Sequence, residues 1–352
     1  MRRVLVAVAA TGIAATTALA AAGCSSSSSG SSDPGSSAPV VLRLGFLTNI
    51  THAPALIGIE KGFFAKELGK NVKLDPVPFS TGTEEATALL AGQLDAAYVG
   101  PNPAIKAYQT SGGKLIKVIS GAASGGAELV VKKSITTPAQ LKGQKLATPS
   151  LGNTQDVALR FWLKEHGLTS TQTGGGDVPI TPVTPNSAAV LEFKSGQIAG
   201  GWEPVPYDAE MVADGGHVLV NEASLWPNGQ FVTTNLVVTT KFLGAHASTV
   251  SDLLKGQIEA NTYIHDNSAA AEAAANAELT KLLGKGLSAS ELAASFQQVT
   301  FTNDPIESSL ATDAQHAVAV GLLSPVKDIN GLYDLGPLNA LLKADGQPQV
   351  TS

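Results

Sequence analysis

Short apolar runs alternate with helical patterns from Val41 almost to the C-terminus, and this alternation constrains the fold more than any other feature of the chain. A strand followed by a covering helix, repeated, builds a mostly parallel sheet with helices on its faces. The runs predict strands at Val41–Leu47, Val72–Phe79, Ala96–Val99, Lys117–Ile119 and Leu129–Lys132. Helices are predicted at Pro54–Leu68, broken near Gly62, at Thr83–Ala91 behind a Thr81/Glu84 capping pair, and after Pro103. The glycine-rich passage Gly121–Gly126 reads as either a loop or a hinge.

A second copy of the pattern follows, with strands at Lys145–Ala147 and Ile180–Val183 and helices at Asn153–His166 and Ser187–Lys194. Pro78–Gln93 aligns without a gap on Pro182–Gln197, so that Ser80 meets Thr184, Thr83 meets Ser187 and Tyr98 meets Trp202. Two similar units are the expectation. After one more strand at Asn235–Thr240 the chain turns helical, over Val250–His265, Ala269–Leu283, Ser290–Gln298 and Pro305–Val320. The predicted fold is therefore α/β and bilobed, with residues 40–124 and 227–352 in lobe 1, 125–226 in lobe 2, and a ligand cleft at the junction. A length of 352 residues accommodates two lobes.

Charge removes some function classes. Charged residues make up 15% of the chain and the formal net charge is -6, so the basic patch that a phosphate backbone requires is missing and nucleic acid is not an expected partner. The N-terminus speaks to location. Arg2 and Arg3 precede an apolar, Ala-rich run that ends at Ala21-Ala22-Gly23-Cys24, the layout of an export signal over residues 1–23. Small residues before the sole cysteine resemble a bacterial lipobox, with Ala21 where Leu is usual; this implies lipidation of Cys24 and a protein anchored outside the cell membrane. Residues 24–39, nearly all Ser, Gly, Pro and Ala, read as a flexible tether with a reach of roughly 20 Å. With one cysteine, no intramolecular disulfide forms.

In open α/β sheets, ligands bind beyond the carboxyl ends of the strands, where helices begin. Here those junctions carry small donors: Thr48, Asn49, Thr51 and His52; Ser80, Thr81, Gly82 and Thr83; Asn102; Ser150, Gly152, Asn153, Thr154 and Gln155. Each could simply cap a helix. Several helix N-termini meeting in one cleft would instead make an anion site from amides and hydroxyls alone. Arginine is scarce after the signal, with only Arg43 and Arg160, which favours a small, singly charged, weakly basic anion or a polar neutral ligand over one clamped by a guanidinium. Enzyme signatures are absent: no HExxH, P-loop or GxSxG occurs, and the six histidines lack metal-ligand spacing. No metal or cofactor is expected. Glu203, beside Trp202, could in principle be a catalytic carboxylate, but no partner acid or base is identifiable.

Several motifs match a known family. Thr51-His52-Ala53-Pro54 with Glu60-Lys61-Gly62-Phe63-Phe64 resembles the opening helix of the nitrate/sulfonate/taurine class of solute-binding proteins. Gly92-Gln93-Leu94-Asp95, the stretch Ser124–Val130, Leu141-Lys142-Gly143 and the stretch Gly152–Leu159 look like its aliphatic-sulfonate branch, and Trp202-Glu203-Pro204 resembles the same class. The resemblance implies a type II periplasmic-binding fold, a monomer, and delivery of a small anionic ligand to an ABC permease with its cytoplasmic ATPase. Members take nitrate, bicarbonate, taurine, sulfonates or pyrimidine vitamin precursors. It also implies cleft positions at Asn49–His52, Ser80–Thr83, Asn102, Ser124-Gly125, Asn153–Gln155 and Trp202-Glu203. Of these, Trp202 would cover the organic part of a ligand and Glu203 would hydrogen-bond across the cleft or meet the amine of a taurine-like ligand, or the two would be core and structural cap.

Overall fold

The computed structural model describes residues 39–325 and 329–351. The expected signal, Cys24 and nearly all of the tether lie outside the described residues. Two sheets organise the described chain. The first combines β1 (Val40–Leu47), β2 (Val72–Phe79), β3 (Ala96–Val99), β4 (Ile116–Gly125), β10 (Val232–Thr239) and β11 (Val299–Phe301), in the order β11-β4-β10-β3-β1-β2. The second combines β5 (Ala127–Lys132), β6 (Leu146–Thr148), β7 (Ile180–Pro182), β8 (Gly200–Pro204) and β9 (Gly216–Asn221), in the order β7-β6-β8-β5-β9. We call the half built on each sheet a lobe.

The mostly parallel arrangement expected from the alternation holds for β2-β1-β3 and for β7-β6-β8. Elsewhere the sheets are mixed. β10 enters antiparallel between β3 and β4, and β5 lies antiparallel between β8 and β9, because these strands arrive from the other lobe rather than through a covering helix. β1 reads as nearly continuous apolar sequence because it lies inside the sheet and is covered on both faces. Leu42, Leu44 and Phe46 join Leu56, Phe64 and Leu253 in one core, while Gly45 on the other face leaves room for Glu85 and Leu94.

The glycine passage differs from both of its readings over most of its length. β4 runs through it to Gly125, and Gly121 is needed there because a Cβ would lie 2.1 Å from the Asp304 carbonyl oxygen. The crossing to the second sheet is confined to Gly125 and Gly126, both in the left-handed region at φ +85° and +78°. The chain returns between β9 and β10, over residues 222–231. The repeat seen in the sequence is structural as well: the nine-residue helix Gly82–Leu90 after β2 corresponds residue for residue to Asn186–Lys194 after β7.

Candidate functional site

The starts of five helices surround a chamber of about 30 Å³ between the lobes. In lobe 1, β1 leads into the turn Asn49–His52 and the helix Ala53–Glu60, which together contribute Asn49, Thr51 and His52. The Thr51 hydroxyl donates to Asn49 Oδ1 at 2.8 Å, and the Leu47 amide donates to His52 Nδ1 at 3.1 Å. That bond makes Nδ1 an acceptor, so the neutral imidazole carries its proton on Nε2. Burial lowers the His52 pKa to about 3, which keeps the ring uncharged.

Ser80, Thr81 and Gly82 come from the turn after β2. The Thr81 hydroxyl caps the helix Gly82–Leu90 by accepting from the Glu84 amide at 3.3 Å, leaving the amides of Gly82 and Thr83 without a carbonyl one turn earlier. After β3, Gly100 caps the helix Pro101–Thr110 and lines the chamber with Pro103. Gly100 is fitted to the opposite lobe: a Cβ there would lie 2.8 Å from Thr154 Oγ1.

Lobe 2 contributes Asn153, Thr154, Gln155 and Asn186. Asn153 caps the helix Thr154–Glu165, its Oδ1 accepting from the Asp156 amide at 2.9 Å. Asp156 organises this corner. Its carboxylate accepts from Thr148 Oγ1 at 3.0 Å, the Gly152 amide at 2.8 Å and Arg160 Nε at 2.9 Å, with both Asp156 and Arg160 buried. Arg160 is thereby committed to structure and does not line the chamber. Thr154 and Gln155, in the first turn of this helix, line a space that among the described residues has no Lys or Arg in its wall.

Nine of the expected residues meet at this chamber: Asn49, Thr51, His52, Ser80, Thr81, Gly82, Asn153, Thr154 and Gln155. Thr83 stands outside it and bridges the lobes through a 2.8 Å hydroxyl contact with Ser150. Asn102 points to Asp313, its Nδ2 donating to the backbone oxygen at 3.3 Å. Ser124 and Gly125 belong to the crossing: Ser124 Oγ accepts from the Phe231 amide, and the Gly125 amide donates to the Phe231 carbonyl. Asn186, Gly100 and Thr233 also line the chamber, and the sequence alone does not single them out. The repeat carried a signal for Asn186, which aligns with Gly82 at the opposite helix start.

Trp202 and Glu203 are not brought to the chamber. β8 is the middle strand of its sheet, so side chains on both of its faces are buried. Trp202 is fully enclosed, packs edge-on against Trp162 and donates from Nε1 to Glu222 Oε2 at 2.7 Å. Glu203 emerges on the other face, opposite Glu128 in register, with neither carboxyl oxygen hydrogen-bonded. Burial, and then the Asp208 charge, push its pKa well above the ordinary carboxylate value. Trp202→Phe is therefore expected to lower stability by about 1–3 kcal/mol, the cost of removing one of the two indole donors, Trp202 and Trp226, that serve the buried Glu222 carboxyl, with no change in affinity at the chamber. Urea unfolding and calorimetry check the two halves of that statement.

Among the described residues no group of three or more His, Cys, Asp or Glu is placed to hold a metal ion, and no helix is long and apolar enough to cross a membrane.

Comparison with known proteins bears on the family and the fold. The taurine-binding periplasmic protein of Escherichia coli (strain K12) is 27% identical over 207 residues, covering 59% of this chain and 62% of that protein. A putative binding protein of Brucella abortus (strain 2308) is 29% identical over 173 residues, 47% of this chain and 49% of that protein. The chain thus matches about half to three-fifths of these relatives' length. Among solved structures, the alkanesulfonate-binding protein SsuA of Xanthomonas axonopodis pv. citri, bound to MOPS, superimposes with a TM-score of 0.66 at 17% identity, covering 82% of this chain and 96% of that one. The periplasmic nitrate-binding protein NrtA of Synechocystis PCC 6803 gives 0.70 at 15% identity, covering 87% and 89%. These likenesses establish the α/β, two-lobed fold of the type II periplasmic binding proteins. The NMT1-like family matches residues 35–278, more than half of the chain, and the chain belongs to that family.

Proposed function

We propose that this protein is the extracytoplasmic solute-binding component of an ABC importer, which takes a small organic anion of the sulfonate type into its cleft and presents it to a membrane permease driven by a cytoplasmic ATPase. The observation that carries this reading is the chamber itself: helix starts from both lobes line it with small polar residues and a neutral imidazole. A sulfonate spreads one negative charge over three oxygens, and such a ring of neutral donors matches it better than one guanidinium would. The role is binding without chemistry, and Cys24 is the lipid anchor. Lobe closure pivots about Gly125-Gly126 and residues 222–231, where the chain passes between sheets; the Thr83–Ser150 contact and the bond from Tyr207 Oη to the Thr48 carbonyl at 3.2 Å fasten the closed form.

A thermal-shift panel of alkanesulfonates, taurine, nitrate, bicarbonate and pyrimidines tests the reading. A true ligand at a hundred times its dissociation constant adds about 2.7 kcal/mol of stability. Sulfonates are expected to raise the melting temperature; a shift with a neutral pyrimidine and none with any sulfonate contradicts the anion assignment.

A further inference from the structure

A second cavity, of about 280 Å³, adjoins the polar chamber and shares Leu47, Asn49, Ser80 and Asn186 with it. Its character is different. Leu279, Leu283 and Leu287 form one wall, from the end of the helix Ser268–Leu283 and the loop that follows, and Pro206 and Tyr207 of lobe 2 form the other. The loop is fixed rather than draped: the Leu287 amide donates to Asn276 Oδ1 at 2.7 Å and Asn276 Nδ2 donates to the Leu287 carbonyl at 3.0 Å. Two charged residues complete the lining, Glu210 and Lys285, opposite in sign and adding no net charge.

The polar chamber alone is too small for an organic molecule, whereas the two cavities together reach the lower end of the usual range for small-molecule sites, roughly 300–1,000 Å³. We propose that the leucine-walled cavity receives the organic body of the ligand while the polar chamber holds its anionic head, so the preferred class is an organic anion with an apolar body of several carbons rather than a bare oxyanion or a two-carbon aminosulfonate. This rests on the chamber being the head-group site. A volume of about 280 Å³ equals roughly nine water molecules, enough for a chain of six to eight carbons. The wall that selects the body therefore belongs to the helical C-terminal part of the chain.

Calorimetric titration of the purified protein with 1-alkanesulfonates from methane- to octanesulfonate tests this. Affinity is expected to rise about fourfold per methylene, the gain from burying each CH₂, and to level off at about six carbons. Leu283 is half exposed, so Leu283→Ser leaves the core intact; it is expected to weaken hexanesulfonate about fivefold or more and leave methanesulfonate unchanged. Sulfonates bound with the same affinity at every chain length would overturn the cavity assignment and leave the head-group site standing, as would nitrate binding more tightly than hexanesulfonate. No binding of any sulfonate would remove both.

Discussion

Asp156→Ala is expected to lower the unfolding free energy by about 3–5 kcal/mol and to weaken ligand binding at least tenfold. Its carboxylate is fully buried and joins three donors: the Thr148 hydroxyl, the Gly152 amide and the Arg160 guanidinium. Without it, Arg160 keeps only its bond to the Thr171 carbonyl and remains a buried, uncompensated charge. The same change releases Gly152, next to the Asn153 cap, so the amides of Thr154 and Gln155 lose their aim. Urea denaturation reads the first effect and calorimetry with an alkanesulfonate the second. A variant as stable as the parent would show that the Asp156 network does not hold this corner.

Gly100→Val separates folding from closure. Gly100 has φ −65°, a conformation open to any residue, so nothing in its own backbone demands glycine. What excludes a side chain is the opposite lobe, with Thr154 Oγ1 at 2.8 Å from the place a Cβ would take. The variant is expected to fold with stability within about 0.5 kcal/mol of the parent when free of ligand, because separated lobes avoid the contact. Its affinity is expected to fall by about 1–3 kcal/mol, roughly 5- to 150-fold, the usual cost of overpacking a fitted contact. Small-angle scattering should show the parent compacting on adding ligand and the variant compacting less. An unchanged affinity would mean that the lobes bind ligand without meeting at Thr154.

Local patterns make much of the molecule legible from its residues. Turn chemistry locates the donors at helix starts, since Thr81 caps as its spacing to Glu84 indicates and Asn153, where the second predicted helix begins, caps that helix. The repeat of Pro78–Gln93 in Pro182–Gln197 marks equivalent helices in the two lobes, and it pairs Asn186 with Gly82 at their first residues. Three features are hidden for physical reasons. Gly121 looks like a loop residue, yet it sits in a strand because the backbone at Asp304 passes too close for any Cβ, a contact between residues far apart in the chain. Trp202 and Glu203 stand at a strand end in sequence, but burial of both faces of β8 depends on strand order, and the acceptor for the indole N–H lies 20 residues away. The leucine wall comes from the end of one helix and the loop after it, whose apolar residues would suit any core, and only the return of the chain to lobe 1 places Leu279, Leu283 and Leu287 beside the cleft.

The proposed ligand is an anion held by uncharged donors, and the pH dependence of its affinity tests this most directly. Among the described residues His52 is the only titratable side chain lining the chamber, and burial lowers its pKa to about 3, so the imidazole stays uncharged from about pH 5.5 upward. The ordinary histidine pKa is about 6.5, so an imidazolium in the site would instead tighten binding steadily as the pH falls through that value. Calorimetric titration with butanesulfonate at pH 5.5, 6.5 and 8 should return dissociation constants within about twofold of one another. A tenfold gain in affinity between pH 8 and pH 5.5 would contradict the account by showing that protonation of a group in the cleft, and not uncharged donors alone, holds the ligand.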